Sequence, residues 1–180
     1  MKGIRFHFTL ILVFLSLKLS AQDVLVTNVN IVTMNGEEVL ENHAVFVKDG
    51  KIDKIIPLTP QTPRISHENL IDGKGAYIFP GLAEFHAHLP VANDGSTQLQ
   101  EESLWLYLAN GVLRIRSMLG HPTHVELRRR VNAGEIQGPR VFISGPSFNG
   151  NSVTSPDQAA QMVRDQKAAG YDHLKIHPGV

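Results

Sequence analysis

The residues best suited to chemistry sit close together. His86 and His88 in "GLAEFHAHLP" are one residue apart, behind Glu84 and an apolar run. On an extended backbone, residues two apart face the same way, so both imidazoles project from one face with Ala87 on the other. Two neutral imidazoles side by side can share one divalent cation at nitrogen-to-zinc distances of about 2.0 to 2.1 Å. Glu84 falls on the same face, where a carboxylate can orient a ligating histidine. Taken alone, the pair fits a metal site and a polar strand end equally well.

Lys175 in "HLKIHPG" is the second feature. It stands near the end of a short apolar stretch, where burial would disfavour the charged ammonium and free the amine for chemistry. A lysine snorkelling from a strand end into solvent is the alternative. His177 shares the Lys175 face and would line the same mouth. His121 and His124 in "MLGHPTHVEL" follow a strand candidate and are candidates for a substrate loop, against the plainer reading of both as polar surface. "GPSFNGNS" is glycine-rich but lacks the Lys-Ser/Thr ending of a phosphate loop, and is expected to be a flexible loop. No Gly-x-Ser-x-Gly elbow occurs, which argues against a serine hydrolase. The absence of cysteine excludes a thiol nucleophile, a thiolate zinc site and disulfides.

These residues need elements to hold them. From about Val24 to Ile56, apolar and polar residues alternate, broken by Asn35-Gly36 and Asp49-Gly50, which suit tight hairpin turns. Three short antiparallel strands are predicted there, with "NLIDGKGAYIFPG" as a further strand and turn. From Ala76 the pattern becomes strand, helix, strand. Strands are predicted over 77–88, 111–118, 140–144 and 173–177, with helices from Ser96, His124 and Ser155. Ser155 is an N-cap with Pro156 at the first helical position, and Gly170 is the stop. Strand starts recur about every 30 residues, as in parallel strand-helix units. Eight such units need roughly 250 residues, so about four fit here, and of a small open sheet and a piece of a barrel the chain reads as the second.

With 17 basic and 17 acidic side chains, the chain carries no nucleic-acid footprint. Arg128, Arg129 and Arg130 read as a solvated helix face. The first 21 residues have Lys2 and Arg5, an apolar stretch from Phe6 to Leu17, then Ser20 and Ala21, the layout of a secretory signal. The apolar run is short for a membrane span of about 20 residues. The expected location is therefore secreted or periplasmic, with no stable membrane span after signal removal. The expected division is a signal at 1–21, a β-rich segment at 22–75 and strand-helix units at 76–180.

"IFPGLAEFHAHL", "LANGVLRIRSMLG", "GPRVFISGP" and "AAGYDHLKIHPG", in this order and spacing, resemble the amidohydrolase superfamily, in the branch of imidazolonepropionase-like and Xaa-Pro dipeptidase-like metal hydrolases. The resemblance covers nearly all of the chain after the leader. It implies an α/β fold: a small N-terminal β-sandwich segment followed by the first half of a (β/α)8 TIM-like barrel. His86 and His88 match the first-strand metal ligands of that family. Lys175 matches a fourth-strand lysine that, in binuclear members, is carboxylated by carbon dioxide and bridges two metals. One or two divalent ions, with zinc the default, are implied as cofactors. The implied activity is hydrolysis of a carbon–nitrogen bond in a small-molecule substrate, an amide, peptide-like bond or cyclic amide, through a metal-activated water. The family's further histidine ligands and general-base aspartate would fall beyond Val180, so the chain by itself is expected to be inactive. Family members commonly have aspartate where Glu84 stands. The competing class is a non-catalytic metal- or ligand-binding protein on the same fold.

Overall fold

The computed structural model describes residues 23–92 and 95–178 and divides the chain into two compact units, meeting between Pro80 and Gly81. The expected signal at 1–21 lies outside the described residues. No helix among those described is long and apolar enough to cross a membrane.

The first unit is one four-stranded sheet: β1 (Val24–Val32), β2 (Val39–Lys48), β3 (Lys51–Pro57) and β4 (Leu70–Ile78), in the order β3-β2-β1-β4. β1 and β2 are antiparallel, as are β2 and β3. The dipeptide turns form as their sequence requires: Gly36, Asp49 and Gly50 all have positive φ. Val29, Ile31 and Val45 are buried together in one cluster, and Leu25 and Ala44 are buried as well. β4 returns parallel to β1, pairing Leu25 with Leu70 and Ile31 with Ile78. This corrects two expectations. Ala76 to Ile78 belong to the first sheet, so the unit break falls later than residue 75, and the single strand predicted over 77–88 is two strands in different units. The apolar run continues across the break, which hid it. Among the described residues this unit is a single sheet rather than two layers.

The second unit alternates strand and helix: β5 (Leu82–Ala87), α1 (Gln98–Ala109), β6 (Val112–Ser117), α2 (Thr123–Asn132), β7 (Arg140–Ile143) and α3 (Pro156–Ala168). The strands form a parallel sheet in the order β5-β6-β7. Period two assigns its faces. Ala87, Ile115, Val141 and Ile143 pack with Leu89, Leu104 of α1 and Leu127 of α2 in one core. Arg114, Arg116 and Phe142 occupy alternate positions and leave that core. The Ser155 hydroxyl accepts the Gln158 amide N–H at 3.2 Å, with Pro156 in the first turn of α3, and Gly170 follows at φ 86°.

The strand predicted over 173–177 is not continuous. Two isolated parallel bridges, Ser144 to His173 and Phe148 to Ile176, flank a stretch where the chain after β7 bends away. Three residues, 145–147, face two, 174–175, between the bridges, so one ladder cannot run through. The arginine run also departs from expectation. Arg129 is exposed and pairs with Glu126 and Glu135, but Arg128 and Arg130 are partly covered and pair with Asp172 and Glu101. A helix packed along a sheet brings its flanks within reach of neighbouring elements, which helical period alone cannot reveal.

Candidate metal centre

His86 is the penultimate residue of β5, and His88 follows the strand's last residue. Ala87 and Leu89 are both buried in the core, so the two histidines between and before them must turn to the opposite, open side. Their ring centroids are 5.3 Å apart with planes tilted by 42°. Two imidazoles bound to one ion at about 2.0 to 2.1 Å in a roughly tetrahedral arrangement have centroids about 5 Å apart, so this separation suits joint ligation.

His86 and His88 line an open cavity of about 550 Å³ together with Lys175 and His177. The remaining wall includes Met118, Gly120, Pro146, Ser147, Asn149 and Ser152. Lys175 arrives there through backbone pairing rather than through a full strand. The Asp172 N–H donates to the Ile143 carbonyl at 2.9 Å, and the Asp172 carboxylate accepts the Ile143 N–H at 2.9 Å. Arg128 grips that carboxylate and the Gly170 carbonyl. Further on, the Phe148 N–H donates to the Lys175 carbonyl and the His177 N–H to the Phe148 carbonyl, each at 2.8 Å. Lys175 is half-buried at the cavity wall, less enclosed than a fully buried lysine.

The loop expected to be flexible is internally tied. The Asn149 carboxamide oxygen accepts the N–H groups of Asn151 and Ser152, and the Ser152 hydroxyl donates to the Ser147 carbonyl at 2.9 Å. Below it, Gly120 lies so close to Gly145 that an added β-carbon would sit 1.9 Å from the Gly145 carbonyl oxygen. Only glycine permits this approach of the loops after β6 and β7.

Two candidates are placed differently from expectation. The Glu84 carboxylate accepts the backbone N–H of His86 at 2.7 Å, so it braces the chain and leaves both rings to other partners. It lines a separate cavity of about 300 Å³ with Arg114, Arg116, Phe142 and His173. His121 is not among the residues lining the cavity of His86 and His88; its Nδ1 lies 2.9 Å from the Thr123 hydroxyl and accepts the Thr123 N–H at 3.3 Å, at the start of α2. Among the described residues, no three histidine, aspartate or glutamate side chains are grouped to hold a metal. The donors fit an ion as two imidazoles with Lys175 beside them.

Sequence reasoning missed the burial of His124, Gln100 and Gln166. His124 is fully buried on α2 and its Nε2–H donates to the Pro90 carbonyl at 2.9 Å. Gln100 is 1% exposed and donates to the same oxygen at 2.9 Å. The available signal was helical spacing: Gln100 lies four residues before buried Leu104, and His124 three before buried Leu127.

Burial pushes the His124 pKa below its ordinary value of 6.5; the Pro90 carbonyl opposes that shift, and His121, 6.0 Å away between ring centroids, adds to it. A lowered folded pKa means that the unfolded chain takes up the proton first, so stability is full above about pH 6.5 and declines on acidification toward the folded value. His173 shifts in the same direction, chiefly by burial. The urea midpoint is therefore expected to fall between about pH 7.5 and pH 5.5, and the fall should shrink in His124→Gln. A midpoint that stayed flat or rose would contradict this.

The chain matches no family model. It is 38% identical over 66 residues to a 5-methylthioadenosine/S-adenosylhomocysteine deaminase of Halalkalibacterium halodurans, covering 36% of this chain and 15% of that protein. It is 34% identical over 61 residues to an imidazolonepropionase of Hahella chejuensis, covering 34% and 15%. A solved structure from Bifidobacterium longum that carries a prolidase name matches with TM-score 0.74 and 28% identity over 88% of this chain and 41% of that one. A Xaa-Pro dipeptidase with bound methionine matches in fold, with TM-score 0.75 and 18% identity, over 86% and 47%. The chain thus spans less than half the length of the relatives it matches. The matched stretches and the shared mixed α/β fold support membership of the amidohydrolase superfamily, over part of the length of its members.

Proposed function

We propose that the protein is an exported, metal-dependent hydrolase of a carbon–nitrogen bond in a small molecule, with His86, His88 and Lys175 holding the metal. The observation that carries this reading is the shared cavity: two imidazoles from the end of β5 and a lysine 87 residues after His88 line one open pocket. The names of its relatives, a deaminase, an imidazolonepropionase and a Xaa-Pro dipeptidase, denote hydrolysis of carbon–nitrogen bonds.

His86 and His88 supply neutral nitrogen donors, held apart at a spacing that suits one ion. Lys175 becomes a ligand by reacting with carbon dioxide: its amine nitrogen bonds to the carbon, a proton leaves, and the product is an anionic oxygen donor where a cationic ammonium would repel a metal. A divalent metal, with zinc the default for such donors, supplies Lewis acidity that activates water and polarises a carbonyl. The Ser147, Asn149 and Ser152 wall offers hydrogen-bonding groups to a polar substrate, and Met118 and Pro146 cover its apolar parts. The strand-helix repeat of the second unit is read as the first part of a (β/α)8 barrel, with the cavity at the C-terminal ends of its strands. The first sheet is read as one layer of the β-sandwich.

Metal removal tests the reading. The protein, produced with zinc or cobalt, is dialysed against a chelator and assayed on dipeptides, N-acyl amino acids and cyclic amides before and after metal is restored. Bound metal is expected at one or two ions per chain, and any hydrolysis is expected to vanish on chelation and return with the ion. A chain that takes up no divalent metal would overturn the proposal; a full-length version that takes it up and hydrolyses none of these substrates would favour a binding protein.

A further inference from the structure

Resting on the reading of His88 as a metal ligand, we infer that Gln100 and His124 are positioning residues, which aim His88 by clamping the Pro90 carbonyl from two helices. His88 stands between two fixed points. On one side, Ala87 is buried, and its carbonyl accepts the Met118 N–H at 2.7 Å. On the other, Leu89 is 1% exposed and Pro90 is gripped twice, by Gln100 Nε2 and His124 Nε2, each at 2.9 Å. With the backbone held before and after it, His88 has little freedom beyond its own rotamers.

The clamp is built from groups that cost stability unless satisfied. A carboxamide and an imidazole almost fully removed from water cost stability for every polar atom left unpaired; here both Nε2 donors are held by the Pro90 carbonyl, while Gln100 Oε1 and His124 Nδ1 meet no hydrogen-bond partner among the described residues. The pair is also cross-tied, since Gln100 Nε2 reaches the Thr123 hydroxyl at 3.2 Å and His121 Nδ1 lies 2.9 Å from the same oxygen. Neither Gln100 nor His124 lines the cavity, so each acts through Pro90 and not on a ligand.

The same device recurs at a second strand end. After β7, the Pro146 carbonyl accepts Gln166 Nε2 at 2.6 Å; Gln166 lies on α3 and is 5% exposed. Pro146 lines the cavity. Buried helix amides thus grip proline carbonyls in two loops that shape the same pocket. Outer groups that orient metal ligands commonly matter about 10- to 100-fold in metal affinity.

The test compares the unmodified chain with Gln100→Leu, His124→Leu, the double variant and the conservative His124→Gln. Cobalt(II) titration reads affinity and the visible ligand-field spectrum, and amide hydrogen exchange reads Leu89 and Val91. Each leucine variant is expected to weaken cobalt binding about 10-fold, to alter the spectrum, and to speed exchange at Leu89 and Val91 while β6 and α3 keep their protection. His124→Gln, whose amide can still donate to Pro90, is expected to recover most of the affinity. If the double variant does not fold, Gln100→Met, which leaves His124 in place, carries the same comparison. Unchanged cobalt affinity, spectrum and exchange in folded variants would overturn the clamp. If the unmodified chain binds no cobalt, the metal reading fails, and exchange at Leu89 and Val91 alone decides whether the clamp orders this segment.

Discussion

Changing His86 and His88 together to alanine is expected to leave the chain folded and, on the proposed reading of both as ligands, to remove divalent-metal affinity. Both side chains are exposed on the open side of the strand end, so their loss removes donors without opening the core. Surface changes of this kind usually shift stability by no more than about 0.5 kcal/mol. The loss of affinity should exceed the roughly 10- to 100-fold that supporting residues cost, because the coordinating atoms themselves disappear. Cobalt titration with parallel thermal unfolding checks both halves of the expectation. Metal bound as tightly by the folded double variant as by the unmodified chain would place the site elsewhere. A Lys175→Ala chain provides the comparison, since it keeps both imidazoles and loses only the proposed carbon-dioxide-dependent donor.

Ile115→Ala is expected to cost about 2 to 5 kcal/mol, the range for truncating a buried isoleucine. Ile115 lies mid-way along β6, the central strand of the parallel sheet, and is wholly buried among Leu104, Leu127, Val141 and Ile143. It touches elements on both sides, so no single neighbour can move in to fill the space. Against a typical total of about 5 to 15 kcal/mol, such a loss is large. Leu113, two residues earlier on β6, is 52% exposed and lies outside that core, and its change to alanine should cost far less. Urea unfolding of the two variants separates them; equal midpoints would mean that the core is not where the structure puts it.

Local patterns in the chain were readable where the physics is local. Asp49-Gly50 turns because both residues take positive φ, and Ser155 caps α3 because its oxygen meets the Gln158 N–H. The break between units was misread because Ala76 to Ile78 and Leu82 to Ala87 are both apolar and extended, and only pairing with β1 assigns the first of them to another sheet. Lys175 was expected on a full strand, but two bridges and a bend carry it instead. Glu84 holds the His86 backbone N–H, because a carboxylate two residues before a backbone N–H can fold back onto it. His124 looked like surface since a loop-flanking histidine usually is; burial under Pro90 depends on how α1 and α2 pack.

By itself the sequence determined the kinds of groups available and their local facing: two imidazoles on one side of a strand end, no thiol, and a series of strand-helix units. Period two and capping are set by neighbours within a few residues, so they survive without knowledge of the fold. Only the tertiary structure decided that Lys175 and His177 line the cavity of His86 and His88, and that Gln100 and His124 converge on Pro90. Those meetings join residues 10 to 91 positions apart, and they depend on strand register and helix packing, which no short stretch of chain encodes.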